Sequence, residues 1–525
     1  MRRESRLDTP LLLSMLFAIC IQSGAVDFYV DQSNSGASDS NPGTAGSPWK
    51  NIGKANSTLA AGDRVYIKAG TYSQGIAPNS TGTSGSPITY VNFGADYVKI
   101  TGAVVGVTLN AKSWVVVSGI NFSNVAAFGV LTSAKNNTIT NCTFTTQLGS
   151  SYWSGLGLVA SSQSNLITGC SFSRWGSTSP TSYGDMVDIG NDTDATDLSF
   201  YNRLENCELS GSGHALLELR CGKNIVRGNW FHNEPWSNGY GHRCIISDTS
   251  VSAVLGGYNL IEYNRISFSA HSVDGSANNG MDMRTRFNIV RKNSFYNCTD
   301  SGLAMEGGGG AGDLAIFNHV YNNTFYTNAL DLNFSGAAIG MQTYATPFVV
   351  KTNSFFNNLV YMHPATFWNS GANAALSLQI ISNNWQNAGD PKFNDITTPY
   401  TATTAGKPDF SLQSNSPCID KGAFLTSITS ASGSGTSFAV ADPYFFQSGS
   451  GGIQGDLIQL QGQTNTAQIT AINGMTLTLN QSLTWTNGQG VALPFNGKAP
   501  DIGAFEYGPP GAIRPAPPTN LHVVP

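Results

Sequence analysis

The stretch Asn288-Ile289-Val290-Arg291-Lys292-Asn293-Ser294-Phe295 is a short apolar run, then a polar residue, an Asn, one further residue and a large apolar one. Its last four residues have counterparts along the chain. They stand as Asn141-Cys142-Thr143-Phe144, Gly169-Cys170-Ser171-Phe172, Asn206-Cys207-Glu208-Leu209, Gly228-Asn229-Trp230-Phe231 and Tyr263-Asn264-Arg265-Ile266. Asn322-Asn323-Thr324-Phe325 and Thr352-Asn353-Ser354-Phe355 follow, and Ser118-Gly119-Ile120-Asn121-Phe122 is a weaker first copy. From Phe122 to Phe355 the closing residues are 22, 28, 37, 22, 35, 29, 30 and 30 positions apart. Such a period, built of short β runs without helices, is one coil per repeat of a β-solenoid. Loops absorb the variable length while the strands stay in register. The slot holding Cys142, Cys170, Cys207, Asn229, Asn264, Asn293, Asn323 and Asn353 then forms a ladder along the axis, where Asn amides hydrogen-bond up and down. The three Cys in it read as small buried residues rather than disulfide partners.

Composition agrees with an all-β solenoid. Charged residues are only 11% of the 525, and Gly numbers 58, which excludes a helical bundle or coiled coil and predicts many tight turns. Apolar residues at 40% suffice for a large core, so wholesale disorder is excluded. A net charge of −5 offers no global attraction to nucleic acid or to an anionic membrane.

Residues 1–25 read as a signal peptide: Arg2, Arg3 and Arg6, an apolar run from Leu11 to Ile21, then Ser23-Gly24-Ala25. Cleavage near Ala25 implies a secreted protein, and no other segment is apolar enough to span a membrane. Removing Cys20 with the leader leaves an odd number of cysteines and no CxxC, so at least one thiol is free or pairs between molecules, and a zinc site has no support.

The chain resembles the right-handed parallel β-helix proteins of the pectate-lyase-like superfamily. Phe28-Tyr29-Val30, Asn41-Pro42-Gly43-Thr44, Ser47-Pro48-Trp49-Lys50-Asn51-Ile52, Gly62-Asp63-Arg64-Val65-Tyr66-Ile67 and Gly70-Thr71-Tyr72 are similar to the family's N-terminal cap, a strand and a short helix plugging the first coil. At the far end, Phe410-Ser411-Leu412 and Ser416-Pro417-Cys418-Ile419-Asp420 pair with Pro500-Asp501-Ile502-Gly503-Ala504-Phe505-Glu506 in the manner of a C-terminal segment of secreted bacterial β-helices. The expected organisation is a cap and first coils over 26–100, the parallel β-helix over 101–400, and a C-terminal cap segment over 401–424 and 496–507. An inserted β module fills 425–495, and a Pro-rich tail follows over 508–525. The fold carries lyases, hydrolases, epimerases and non-catalytic surface proteins, so it does not itself assign a function.

Chemistry belongs on the outer wall, because side chains fill a coil's interior. The pairs Leu156/Leu158, Val187/Ile189, Leu217/Leu219, Met281/Met283, Leu303/Met305 and Ile339/Met341 point inward at period two. The alternation sends Asp188, Glu218, Arg220, Asp282, Arg284, Glu306 and Gln342 outward, with the register between Arg243 and Asp248 left open at Ile246 or Asp248. Eight arginines lie between 203 and 291: Arg203, Arg220, Arg227, Arg243, Arg265, Arg284, Arg286 and Arg291. His214, His232, His242 and His271 share that window. This density predicts a site for an acidic polysaccharide. Arg220, Arg284 and His214 are the residue types that family lyases use for proton abstraction in β-elimination, and the resemblance also implies Ca²⁺, held by Asp188 and Glu218. Arg243, His242, Trp236, Glu306 and His271 are expected to bind substrate. The alternatives are a glycoside hydrolase using Glu218 and Asp282, two coils apart, or a glycan-binding surface protein without activity. Trp175, Tyr183 and Trp236 on the long coils suit exposed platforms for sugar rings, with each Trp packed under its own loop as the equal alternative. Asp192, Asp194 and Asp197 form an acidic loop more in keeping with a solvated turn than with a Ca²⁺ site. The chain is expected to act as a monomer.

Overall fold

The computed structural model describes residues 24–102, 104–145, 154–176, 184–191, 194–235, 243–248, 256–267, 279–308, 313–328, 337–396, 407–449 and 452–508. The signal peptide and the Pro-rich tail therefore lie outside the described residues, apart from Gly24, Ala25 and Gly508. Trp236, His242, His271, Tyr183 and Asp192 lie outside them too.

Three parallel sheets run the length of the coil stack. The first has 13 strands, from Asp27–Val30 to Ile380–Ser382; the second has 12, from Gly70–Tyr72 to Trp385–Gln386; the third has 10, from Val105–Thr108 to Ala365–Asn369. From Val105–Thr108 to Ala365–Asn369 each coil contributes one strand to each sheet, and each strand pairs in parallel with its counterpart one coil on; the first coils and the last add strands to the first two sheets alone. This is the β-solenoid that the repeat predicts, in the right-handed parallel β-helix form that the resemblance implies. The helix Ile52–Thr58 buries Ile52 and Ala55 against the first coil, beside the parallel pair Asp27–Val30 and Arg64–Ile67, and closes the open end. Inside, aromatic rings stack from coil to coil: Phe122 on Phe144 at 4.8 Å between centroids, and Phe144 on Phe172 at 4.7 Å.

The Asn ladder is present. Asn264 Oδ1 accepts from the backbone N–H of Asn229 at 2.9 Å and from its Nδ2 at 3.0 Å, while its own Nδ2 donates to the Val226 carbonyl. Asn293, Asn323, Asn358 and Asn384 continue the series. The last rung corrects the sequence reading, since Asn358 and not Asn353 stands above Asn323. Ser354–Phe356 belongs to the first sheet, and Leu359–Tyr361 is the matching strand of the second. Asn353 belongs to a second ladder that the repeat motif did not reveal. It runs through Asn137, Asn165, Asn202, Asn224, Asn259, Asn288, Asn318 and Asn353 at the turn into the first sheet. Cys142, Cys170 and Cys207 fill the earlier rungs of the first ladder as buried thiols, and the other four described cysteines are buried as well.

A six-stranded antiparallel module, its strands lying between Thr426 and Ala492, has its own apolar cluster. That cluster includes Ile225, Leu260, Ile289 and Tyr321 from the outer face of the first sheet, so the module packs on the coil stack. Among the described residues no helix is long and apolar enough to cross a membrane.

Candidate functional site

The third sheet carries the predicted wall. Leu156, Val187, Leu217, Ile245, Met281, Leu303 and Ile339 stand in register facing the core, which confirms the inward pairs. The outward column beside them reads Asp188, Glu218, Ile246, Asp282, Ala304 and Gly340. The open register is settled: Ile246 separates Glu218 from Asp282. Two residues further on, Arg220, Asp248, Arg284, Glu306 and Gln342 follow one another up the wall.

These side chains form one ionic network. Arg220 reaches four carboxylates on its own and neighbouring coils: Nη2 lies 2.5 Å from Glu218 Oε2 and 3.8 Å from Asp185 Oδ2, Nε 3.3 Å from Asp188 Oδ1, and Nη1 4.0 Å from Asp248 Oδ1. The Arg220–Glu218 contact is close but off the donor direction, so Glu218 Oε2 gains charge contact without an aligned hydrogen bond. Asp248 lies between two guanidiniums, 4.0 Å from Arg220 Nη1 and 3.8 Å from Arg284 Nη1. Arg284 donates from Nε to Glu306 at 2.8 Å and from Nη2 to Asp282 at 3.1 Å. Arg243 Nε and Asn279 Nδ2 also donate to Asp282, at 2.5 and 2.7 Å. Gln342 and the Tyr344 hydroxyl both donate to Glu306.

His214 opens the wall at one end. Its Nδ1 lies 2.7 Å from Asp185 Oδ1 and 4.0 Å from Glu218 Oε2. With Asp185 accepting, the neutral ring carries its proton on Nδ1 and its lone pair on Nε2. Burial lowers the His214 pKa to about 4, against the opposing pull of Glu218. Burial drives Glu218 well above the ordinary carboxylate range; Asp185 and Asp248 add repulsion, and Arg220 only partly offsets it. Asp188 is raised to about 7 by burial, with Arg220 opposing. For Asp282 burial also works against the charge, but Arg243 and Arg284 outweigh it and hold the group below its usual value. The wall therefore juxtaposes an imidazole that is neutral at neutral pH, a Glu218 carboxyl whose burial favours the protonated form, and three charged arginines.

Two sequence expectations change here. The eight arginines do not converge on this wall. Arg220, Arg243 and Arg284 do, but Arg227 pairs with Glu262, and Arg203 lies 3.6 Å from Glu205, both on the first sheet. Arg291 joins Glu262 to Asp456 of the module, and Arg265 sits on the second sheet. Spacing along the chain does not say which sheet a residue occupies. Trp175 is no platform either: it is fully buried, 4.7 Å from Phe128 between ring centroids, because its coil folds it into the core. Asp194 and Asp197 hold turns, Asp194 through Thr196 and Asp197 through the N–H groups of Ala160 and Ser161. Asp185 was missed: it lies three residues before Asp188, so strict alternation sends it to the inward face with Val187, and only the fold shows that it meets His214.

The groups that could hold a metal ion are Asp185, His214 and Glu218, whose ligand atoms lie within 4.8 Å of one another. One imidazole and two carboxylates suit a transition ion better than Ca²⁺, which takes six to eight oxygens. Asp188 and Glu218 do not form an oxygen cage of their own, because the Arg220 guanidinium contacts both.

Residues 28–190 match the family described as Pel9A-like, right handed beta helix region. With the three parallel sheets, this makes the fold a right-handed parallel β-helix, similar over those residues to the Pel9A-like family. It is 27% identical over 133 residues to the uncharacterized protein YwoF of Bacillus subtilis (strain 168), a match covering 22% of this chain and 28% of that protein. The chain thus spans little more than a quarter of that relative. Among solved structures, pectate lyase Pel9A is 13% identical with a TM-score of 0.47, over 93% of this chain and 97% of that one. The PL6 family polysaccharide lyase Pedsa3628 from Pseudopedobacter saltans is 17% identical with a TM-score of 0.43, over 68% and 95%.

Proposed function

We propose that the protein is a secreted polysaccharide lyase that cleaves an acidic, uronic-acid-containing polysaccharide by β-elimination on the outer wall of the third sheet. The observation that carries this reading is the pairing of His214 with Asp185 beside Glu218 and Arg220. β-Elimination needs a base for the proton α to the uronate carboxylate, positive charge for the enolate that forms, and an acid for the leaving oxygen. His214, neutral at pH 7 and oriented by Asp185, is the base. Arg220 and Arg284 cannot serve as bases, since their carboxylate neighbours raise their pKa values further; they supply the charge. Protonated Glu218 gives its proton to the leaving oxygen. The C–H and C–O bonds break, a C=C bond forms, and the new end is a 4,5-unsaturated uronate.

The pairing of protonated Glu218 with ionised Asp282 favours a second reading, an inverting glycoside hydrolase, whose two carboxyl groups stand about 6.5–9.5 Å apart. It is weaker, because Asp282 is gripped by Arg243, Arg284 and Asn279 and is a poor base. Incubation with a panel of acidic and neutral polysaccharides, with and without a chelator, decides between them. Near-ultraviolet absorbance rising on a uronic-acid polymer supports the lyase. New reducing ends without absorbance overturn it in favour of the hydrolase, and binding without either product leaves a glycan-binding protein. With Arg220 in the charge-neutralising role, a chelator changes the rate by less than about twofold; a loss of tenfold or more would transfer that role to a bound cation such as Ca²⁺.

A further inference from the structure

The outer face of the second sheet carries a cluster of charges with no part in the wall described above. Glu208, Trp230 and Arg265 are successive neighbours across three coils, and His232 lies two residues beyond Trp230 on the same face. The His232 ring stacks on Trp230 at 3.7 Å between centroids, and its Nε2 is 3.0 Å from Glu208 Oε1. Lys407, just before the strand Asp409–Leu412, places its Nζ 4.2 Å from the Trp230 ring centroid.

Two donors in this cluster have no acceptor. Trp230 is 95% buried, and its Nε1–H makes no hydrogen bond. Nη1 of Arg265 is buried and equally unpartnered, and among the described residues Arg265 has no ion pair. A buried donor left unpaired costs about 1–3 kcal/mol, more when it is charged. Two of them on adjacent strands, about 4.8 Å apart, call for one ligand that accepts from both. The charge agrees: Arg265 and Lys407 are two cations against the single carboxylate of Glu208. A ligand with two adjacent acceptor oxygens and one negative charge completes the cluster.

We propose that Trp230, Arg265 and Lys407 form a carboxylate-binding site on the outer face of the second sheet, separate from the ionic wall of the third. One carboxylate oxygen accepts from the indole N–H and the other from the guanidinium, while Lys407 balances the charge. A dianionic phosphate would exceed the available positive charge. The faces of the Trp230 ring carry His232 and Lys407, so recognition is of the acid group and not of a stacked sugar ring. Both the carboxylate of a uronic acid and that of a simple organic acid satisfy this chemistry.

The test is binding of acetate, galacturonate, galactose and inorganic phosphate to the whole protein, read by calorimetry and by the shift in melting temperature. Trp230→Phe keeps the ring and removes the N–H; Arg265→Met removes the charge. Acetate and galacturonate should bind and raise the melting temperature, galactose should not, and phosphate should bind more weakly. Trp230→Phe should weaken carboxylate binding about tenfold and Arg265→Met more, since hydrogen bonds to charged groups are the stronger ones. Binding should persist in His214→Gln, which places it off the third-sheet wall. Tight binding of galacturonate with none of acetate assigns the site to a uronic acid; equal binding assigns it to carboxylates in general. The proposal is overturned if neither carboxylate binds, if both variants bind as the unmodified protein does, or if phosphate binds more tightly. Variants that simply melt higher, with no ligand effect in the unmodified protein, would show unpaired donors and nothing more.

Discussion

Burial is the first cause of both shifts at the wall: it lowers His214, so the ring stays neutral well into the acid range, and it raises Glu218 far above the usual carboxylate range. A base that must be neutral and an acid that must be protonated define a bell-shaped pH–rate profile. The acid limb should fall through about pH 4, where His214 gains its proton, and the alkaline limb where Glu218 loses its own, well above the usual carboxylate range. Measurement of kcat/KM against pH checks this; an acid limb near 6.5 would mean that His214 is solvated or is not the base. His214→Gln and Glu218→Gln should each lower kcat by about 10²–10⁴-fold with little change in melting temperature. A large loss of stability would instead mark them as structural members of the ion network.

Side-chain ladders that hold successive coils in register govern the elements. Asn264 supplies the acceptor for a buried backbone N–H one coil below. Asn264→Ala should therefore cost about 2–4 kcal/mol, from the lost bond and the unpaired N–H. Asn264→Cys should cost less, because Cys207 fills the same rung and its Sγ accepts from the Cys170 N–H. Denaturant unfolding of the two variants compares them. A third, short ladder ends in a titratable group: Asn328 donates from its backbone N–H and Nδ2 to His363 Nε2, both at 3.3 Å. Burial lowers the His363 pKa to about 3. The folded value lies below the unfolded 6.5, so the unfolded chain binds the extra proton and stability falls as pH drops from about 6.5 toward 3. The slope contributed is at most about 1.4 kcal/mol per pH unit. His363→Asn should flatten the acid side of the melting-temperature profile; an unchanged profile would show that His363 stays neutral in neither state or both.

The whole molecule joins a coil stack to an antiparallel module, and one residue bridges them. Arg291 donates to Glu262 on its own sheet at 2.6 Å and, through both terminal nitrogens, to Asp456 of the module at 2.6 and 2.7 Å. Arg291→Ala leaves the buried Asp456 without its cation and Glu262 with Arg227 alone. It should cost about 3–5 kcal/mol and split a single calorimetric transition into two as the module separates. A single transition at an unchanged temperature would show that the apolar contacts of Ile225, Leu260 and Ile289 suffice to hold it.

The coil period, the inward pairs of the third sheet, the Asn slot and the outward set Asp188, Glu218, Asp282 and Arg284 were legible in the chain, because each rests on local alternation or on a repeat within a few residues. The missed rung at Asn358 came from the same source: Thr352-Asn353-Ser354-Phe355 has the motif but lies in a different sheet, and only the pairing of whole strands shows it. The tertiary structure alone decided the faces and the partners. Arg203, Arg227, Arg265 and Arg291 look like members of one cluster in sequence, yet they sit on other sheets because turn lengths set the face of each strand. Asp185 meets His214, and Asp248 meets Arg284, across intervals of about 30 to 40 residues that no local pattern encodes. The chemistry of the wall depends on those contacts and on the burial that comes with them, since the same side chains in water would titrate at their ordinary values.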